Sequence, residues 1–470
     1  MYPVDVLSVT RGEGAMIAST RFGKDSDFRR IQLDLGDAIP LGLPRLPRDL
    51  EPREFTAPDG RSGWAMRLPG GRPIATPACA DGRLFVGGGF GSHEFFAFDA
   101  KTGAPAWQVR TADDGPTAAV VEDGCVAFNT ESCTVYVCDA ATGSVIWSEW
   151  LGDPLMSQPA IADGRLFMAY PARGRNGSSH KLLCAELRTG RHCWEQEITG
   201  DVITAPVVAG EHVYVSCFDG TSFCFRCGDG REVYRRMDGA TSAPFVVGDD
   251  VFHSRRVMDE GQVFETVHRA DAREGEDREA DPFLAEQADY LKDGRGVGMS
   301  GSRLDSLDAS VGFGTAPSAA KLHDAAAHVG VKTVAGAWAW QGSRAAYSKG
   351  RVLQAQGKFV HSFGADDEKG AWRAEATGGD GGQLFAPPSL GKENLYLVSA
   401  DGQLVALRQA DGERVFVYAI GHPATFQPSL AEGNVYVGTA DGLLLCLRTG
   451  AEDADGWTAW GGNAQHNKNA

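Results

Sequence analysis

One local pattern recurs along this chain, and it restricts the fold more than any other feature. Ala97-Phe98-Asp99-Ala100-Lys101-Thr102-Gly103-Ala104-Pro105-Ala106-Trp107 reads as a strand, a tight turn at Thr-Gly, and a second strand with a tryptophan four residues past the glycine. Val137-Cys138-Asp139 leads in the same way to Thr142-Gly143 and Trp147, and Cys184-Ala185-Glu186 to Thr189-Gly190 and Trp194. Looser copies place Tyr234 after Asp229-Gly230 and Phe416 after Asp411-Gly412. Self-similarity of this kind marks a repeat architecture and is settled before anything else.

Each copy sits in a longer unit. A proline preceded by a small or polar residue comes first, then an apolar run, a turn at Asp-Gly or a close substitute, and alternating residues such as Arg83-Leu84-Phe85-Val86. A further turn leads to the strand that enters Thr-Gly. Gly103 to Gly143 is 40 residues, Gly143 to Gly190 is 47 and Gly190 to Gly230 is 40. Four short strands per unit of this length predict an all-β propeller of four-stranded blades. The glycine supplies the positive φ of a tight hairpin, and the aromatic supplies a rigid apolar plug where one sheet faces the next.

Units begin near residues 76, 116, 157, 204, 242, 342, 386 and 426, which predicts eight blades; seven with one irregular unit is the alternative. The fifth unit lacks Thr-Gly-Trp, and the sixth has Gly370 only two residues before Trp372. Residues 1–63 do not match the repeat and read as an N-terminal extension with a proline-spaced linker over 40–58; the propeller spans 64–470. Trp64-Ala65-Met66-Arg67-Leu68 resembles an outer strand arriving before its blade, as a ring closed from the other terminus requires. The C-terminal Trp457-Thr458-Ala459-Trp460 competes for that place. Closure removes the open edges that invite aggregation.

An insertion at 274–336 separates the fifth and sixth units. It opens with Glu274, Glu276, Asp277, Glu279 and Asp281 and carries two helical patterns, Phe283 to Lys292 and Ser318 to His328. Connections this long in a compact domain are usually functional or disordered, and the helical patterns favour function. Glu276, Asp277, Asp308 and Phe313 form the expected partner surface; Trp338 and Trp340, just beyond and pointing the same way from a strand, either add a binding platform to it or pack the sixth blade, and packing is the preferred reading. Its acidic opening fits a protein partner of basic character.

Ala-x-Asp-x-x-Thr-Gly-x-x-x-Trp, as at Ala97 to Trp107, looks like the tryptophan-docking motif of the quinoprotein (PQQ-like) β-propeller superfamily. The likeness runs from about Trp64 to Trp460 apart from the insertion, and Asp308 to Pro317 resembles an insertion in bacterial members. Trp107, Trp147 and Trp194 with Gly103, Gly143 and Gly190 are then the structural blade motif. The superfamily includes quinone-dependent dehydrogenases, an outer-membrane assembly scaffold and sensor or adaptor domains, and fold does not choose among them. Alcohol-oxidising members resemble this chain in the blade motif, but they carry an adjacent Cys-Cys pair and a calcium or lanthanide site with a catalytic Asp. No two cysteines are adjacent here, and no Asp/Glu/Asn cluster matches that spacing. Pyrroloquinoline quinone with calcium is the alternative, not the expected, cofactor.

The other chemical signals have plainer readings. Cys184, Cys224 and Cys446 fall where other units have Ala97, Val137 and Ala406, a small buried place where free Cys packs well. Cys224-Phe-Arg-Cys227 lies at a strand end, without the helix N-terminus that a redox C-x-x-C uses. Cys184 and Cys193 flank one hairpin and are placed for a disulfide; the buried-thiol reading is preferred. Asp81, Asp123, Asp163, Asp401 and Asp441 precede glycines and read as hairpin turns. His323 and His328 are five apart and do not share a helix face. Gly87 to Gly91 lacks the helix a phosphate loop needs.

A net charge of −17 opposes binding to nucleic acid or an anionic membrane surface. No stretch of about twenty apolar residues spans a membrane, and the first residues do not read as a signal peptide. The expectation is a monomeric, non-catalytic scaffold that binds another protein, with no catalytic, cofactor or metal residues assigned. An outer-membrane assembly scaffold and a quinone-dependent oxidoreductase are the alternatives. As the sequence stands the expected compartment is the cytoplasm, or the periplasm if an export signal precedes it.

Overall fold

The computed structural model describes residues 18–19, 29–47, 49–131, 133–152, 157–174, 177–237, 239–259, 262–271, 345–356, 358–364, 370–377, 385–450, 458 and 462–463. The insertion, with its two expected helices, lies outside them, as do Trp457 and Trp460. Among the described residues the regular structure is strand, apart from one short 3-10 turn at Pro69–Gly71.

The strands form eight sheets among the described residues, and within each repeat unit they pair antiparallel in chain order. The first sheet runs Ala78–Ala80, Arg83–Gly87, Glu94–Asp99, Pro105–Arg110. The second runs Val120–Glu122, Cys125–Asn129, Thr134–Asp139, Val145–Trp150. Inner strands of neighbouring sheets lie against each other, and Ser429–Ala431 of the last sheet meets Ala78–Ala80 of the first. The arrangement is a β-propeller closed on itself. The closing strand is Ser62–Arg67, which pairs antiparallel with Leu443–Arg448 and sets Trp64 opposite Cys446. Of the two competing termini, the N-terminal one completes the last sheet.

The hairpins follow from backbone chemistry. Asp81-Gly82, Asp123-Gly124 and Asp163-Gly164 have both residues at positive φ, the two-residue turn whose twist matches paired strands. Asp401-Gly402 and Asp441-Gly442 differ, with only the glycine at positive φ. Within the Thr-Gly turn, Asp99 accepts hydrogen bonds from the backbone N–H (2.8 Å) and hydroxyl (2.7 Å) of Thr102. Asp139 does the same for Thr142, and Glu186 accepts from the Thr189 hydroxyl. These bonds hold the Asp99 and Asp139 carboxyls below the usual range, and Glu186 is held low first by the bond from Arg191 and then by that from Thr189.

The recurring tryptophan reaches into the next unit. Indole N–H groups of Trp64, Trp107, Trp147, Trp194 and Trp372 donate to the carbonyls of Ala100, Ala140, Leu187, Cys227 and Gln409, at 3.3, 3.0, 2.7, 2.9 and 2.9 Å. Each ring lies on the turn glycine of that unit. A Cβ added to Gly103, Gly143, Gly190, Gly230 or Gly412 would come within 2.6–2.9 Å of the indole. Glycine is thus needed twice at one position, for its positive φ and to leave room for the ring. On its own sheet each aromatic stands opposite the small third-strand residue: Ala97↔Trp107, Val137↔Trp147, Cys184↔Trp194, Cys224↔Tyr234, Ala406↔Phe416. Cys184, Cys224 and Cys446 are buried there as expected, and all ten cysteines are free thiols.

The N-terminal extension is a belt. Arg29–Asp34 adds in parallel to Trp372–Thr377 on the sixth sheet, and Ile39–Pro40 in parallel to Arg414–Ala419 on the seventh. Arg53–Thr56 pairs antiparallel with Ser62–Arg67 on the eighth. Earlier still, Ala18–Ser19 pairs with Gln262–Asp271 on the fifth. The stretch 40–58, expected as a linker, therefore contains a sheet strand. Its anchors are a two-pronged Arg448–Glu54 pair (2.8 and 2.8 Å), Arg29–Glu413 (3.2 Å), and Arg61 stacked 4.8 Å over Phe416 while donating to the Tyr418 hydroxyl.

Candidate interaction surface

Residues expected from sequence to form the partner surface, Glu276, Asp277, Asp308, Phe313, Trp338 and Trp340, lie outside the described residues. Trp107, Trp147, Trp194, Gly103, Gly143 and Gly190 are placed, and they join adjacent sheets.

Among the described residues no three His, Cys, Asp or Glu side chains come together as metal-holding groups. The nearest approach to a catalytic chain is at the seventh–eighth sheet boundary. There His422 Nδ1 meets Asp441 at 2.6 Å, Thr439 donates to the same carboxylate at 2.7 Å, and Arg67 stands 3.7 Å away. Burial pushes the Asp441 carboxyl up, but the bonds from Thr439 and His422 and the charge of Arg67 outweigh it and hold it low. The carboxylate is the centre of this chain, whereas activating a hydroxyl places the imidazole between hydroxyl and carboxylate. This arrangement ties two loops together.

A second polar group bridges the first two sheets. Glu131 accepts a hydrogen bond from the Gly91 N–H at 2.5 Å. Its carboxyl is pushed up to about 8, first by burial and then by the nearby charge of Asp114. Asp114 is itself raised by burial and by Asp113. Glu131 is therefore a neutral strap at neutral pH. Sequence gave no hint of it, because no local pattern distinguishes this glutamate from a solvated one.

What the ring leaves open is its outer rim. Belt strands cover the fifth, sixth, seventh and eighth sheets. The first four end, among the described residues, in single outer strands: Pro105–Arg110, Val145–Trp150, His192–Ile198 and Glu232–Met237. Among the described residues no further strand is added to any of the four, and an outer strand of this kind is one that another chain can pair with. Near the third, Lys181 and Tyr170 bind Glu195 at 2.7 and 2.8 Å, and His192 contacts Glu149 across the gap at 3.0 Å. Expected site residues gave no sign of these edges, since an edge is a property of the assembled sheet.

A family model described as outer membrane protein assembly factor BamB matches residues 53–281 and 314–467. The BamB of Yersinia pestis is 24% identical over 163 residues, covering 31% of this chain and 40% of that protein. The BamB of Salmonella typhimurium is 26% identical over 219 residues, covering 43% and 55%. The chain thus spans about half the length of these curated relatives. Among solved structures, the quinohemoprotein alcohol dehydrogenase from Comamonas testosteroni superposes with a TM-score of 0.50 at 14% identity, over 83% of this chain and 76% of that one. That likeness is one of fold alone.

Proposed function

The chain belongs to the outer membrane protein assembly factor BamB family, and from that premise we propose that it is a non-catalytic scaffold that binds other proteins during assembly of outer-membrane proteins. The single observation that carries the reading is the extent of the family match, which takes in nearly all the repeats and the closing strand with Trp64. The fold agrees with it: the recurring tryptophans and glycines are used in joining sheets, and the rim offers edges suited to protein contact. We take the eight sheets as eight blades, the working form as a monomer, and the cell envelope rather than the cytoplasm as the setting. A partner of basic character complements the net charge of −17.

A quinone-dependent oxidoreductase is the rival. Its supports are the shared blade motif and the fold of the Comamonas enzyme. Against it stand the lack of adjacent cysteines in the chain and of converging metal-ligand groups among the described residues.

Two measurements test the reading. Calorimetric titration of the full chain with pyrroloquinoline quinone and calcium is expected to give no saturable heat; tight binding with alcohol-dependent dye reduction would install the enzyme instead. Cross-linking of a tagged chain in envelope preparations is expected to recover outer-membrane proteins or their assembly partners, and to lose them when 274–336 is deleted. Recovery unchanged by the deletion would move the interface off the insertion.

A further inference from the structure

The four outer strands that the belt leaves open are not alike. Pro105–Arg110 begins with a proline and ends with an arginine. His192–Ile198 carries His192, Glu195 and Glu197, and Glu232–Met237 carries Glu232, Arg235 and Arg236. Prolines and charges of this kind blunt a sheet edge against pairing. Val145–Trp150 has a single charge, Glu149, and His192 of the next sheet engages it. Val145, Ile146 and Trp150 are 47%, 39% and 61% exposed, three of the six large apolar side chains exposed among the described residues. Alternation sets Ser148 and Trp150 on the face opposite Trp147 and Glu149, and a bulge that leaves the exposed Ile146 between Trp147 and Val145 brings Val145, paired with Cys138, onto the Ser148–Trp150 face as well. Trp147 is occupied with the neighbouring unit, through Leu187 and Gly190. The other face is therefore left open and apolar.

The same chain shows what such an edge accepts. On the sixth sheet, the outer strand Trp372–Thr377 takes Arg29–Asp34 in six-residue parallel register, with Ile31 half-buried and Leu33 buried on one face and Arg30, Gln32 and Asp34 exposed on the other. The second sheet has the corresponding outer strand and no added strand among the described residues.

We propose that Val145–Trp150 is a docking edge for an extended strand of a partner polypeptide, with alternating apolar residues packing on Val145 and Trp150 and with basic flanks. Backbone hydrogen bonds to the edge supply affinity, and the face that carries Val145 and Trp150 supplies selectivity. The charge of the partner follows from the −17 of this chain. The inference rests on the scaffold reading and adds to the insertion a second contact, which takes one extended strand of the protein partner.

The test uses the full chain and a fluorescein-labelled peptide of about twelve residues, alternating valine and threonine between lysine pairs, read by fluorescence anisotropy. Saturable binding is expected, weakened about ten-fold or more in V145K/W150K and unchanged in M237K, which alters the charged edge of the fourth sheet. Near-ultraviolet circular dichroism checks that both variants keep the native fold. Equal binding by wild type and V145K/W150K, an equal loss in M237K, or no saturation up to ~1 mM would overturn the proposal. So would sedimentation showing a wild-type dimer that V145K/W150K splits, since the edge would then serve a second copy. Envelope cross-linking separates this failure from that of the scaffold reading: partners recovered equally by wild type and V145K/W150K reject the edge and leave the scaffold standing, whereas quinone turnover removes both.

Discussion

Trp107 shows how much one side chain does. Its ring lies on Gly143 of the next unit, its indole donates to Ala140, and its ring centroid is 5.9 Å from Phe85 and 6.1 Å from Phe95. Trp107→Ala is expected to cost about 3–5 kcal/mol, measurable by denaturant unfolding. Gly143→Ala should also destabilise, because a left-handed backbone costs roughly 1–2 kcal/mol for a residue with a Cβ and the indole must move as well. Glu131 adds a pH dependence. Its carboxyl rises from an ordinary 4.5 to about 8 on folding, so folding favours the neutral form. Its contribution is full below the unfolded value and is lost as pH rises through about 8. E131Q is expected to flatten the fall in melting temperature between pH 5 and 9 and to be the more stable form at the alkaline end; an unchanged slope would remove Glu131 as its source. The tryptophan–glycine pairs were legible from sequence because turn and aromatic lie four residues apart. Glu131 was not, since its shift comes first from burial and then from the charge of Asp114 on another loop, against the opposing bond from Gly91, and only the assembled sheets bring these together.

At the scale of the element, the belt decides which edges are closed. Its ion pairs cannot hold it alone: Glu54 and Arg448 are solvent-facing, and such pairs contribute at most about 1 kcal/mol. Strand hydrogen bonds and the inward Ile31 and Leu33 do the rest. Deleting residues 1–47 is expected to leave a folded ring with a lower melting temperature and concentration-dependent association, seen by light scattering, because three outer edges, of the fifth, sixth and seventh sheets, are bared. Deleting through residue 67 should abolish cooperative folding, because it removes Trp64 and the closing strand. The belt escaped the sequence reading for a physical reason. Arg29–Asp34 pairs with residues more than 300 positions away, and a six-residue strand alternating Ile31 and Leu33 with polar residues carries no mark of its partner. The sixth unit shows the opposite case: Gly370 breaks the spacing, yet Trp372 still lies on Gly412 and bonds Gln409.

For the whole molecule, closure was legible as a need before its means were. A strand resembling the fourth of a blade stood at both termini, and only assembly shows Trp64 opposite Cys446 in the last sheet. Function was less legible, because the repeat residues that stand out in sequence are used for packing, while the exposed rim is built from ordinary residues made distinctive by what does not cover them. The central claim is that this ring serves outer-membrane protein assembly by holding proteins and not by turning over a substrate. The direct measurement is to delete the gene in its native cell and quantify folded outer-membrane proteins by their heat-modifiable migration. The expected result is a reduced folded fraction, restored by the wild-type chain. Unchanged outer-membrane proteins, together with loss of a quinone-dependent dehydrogenase activity from the envelope, would contradict it.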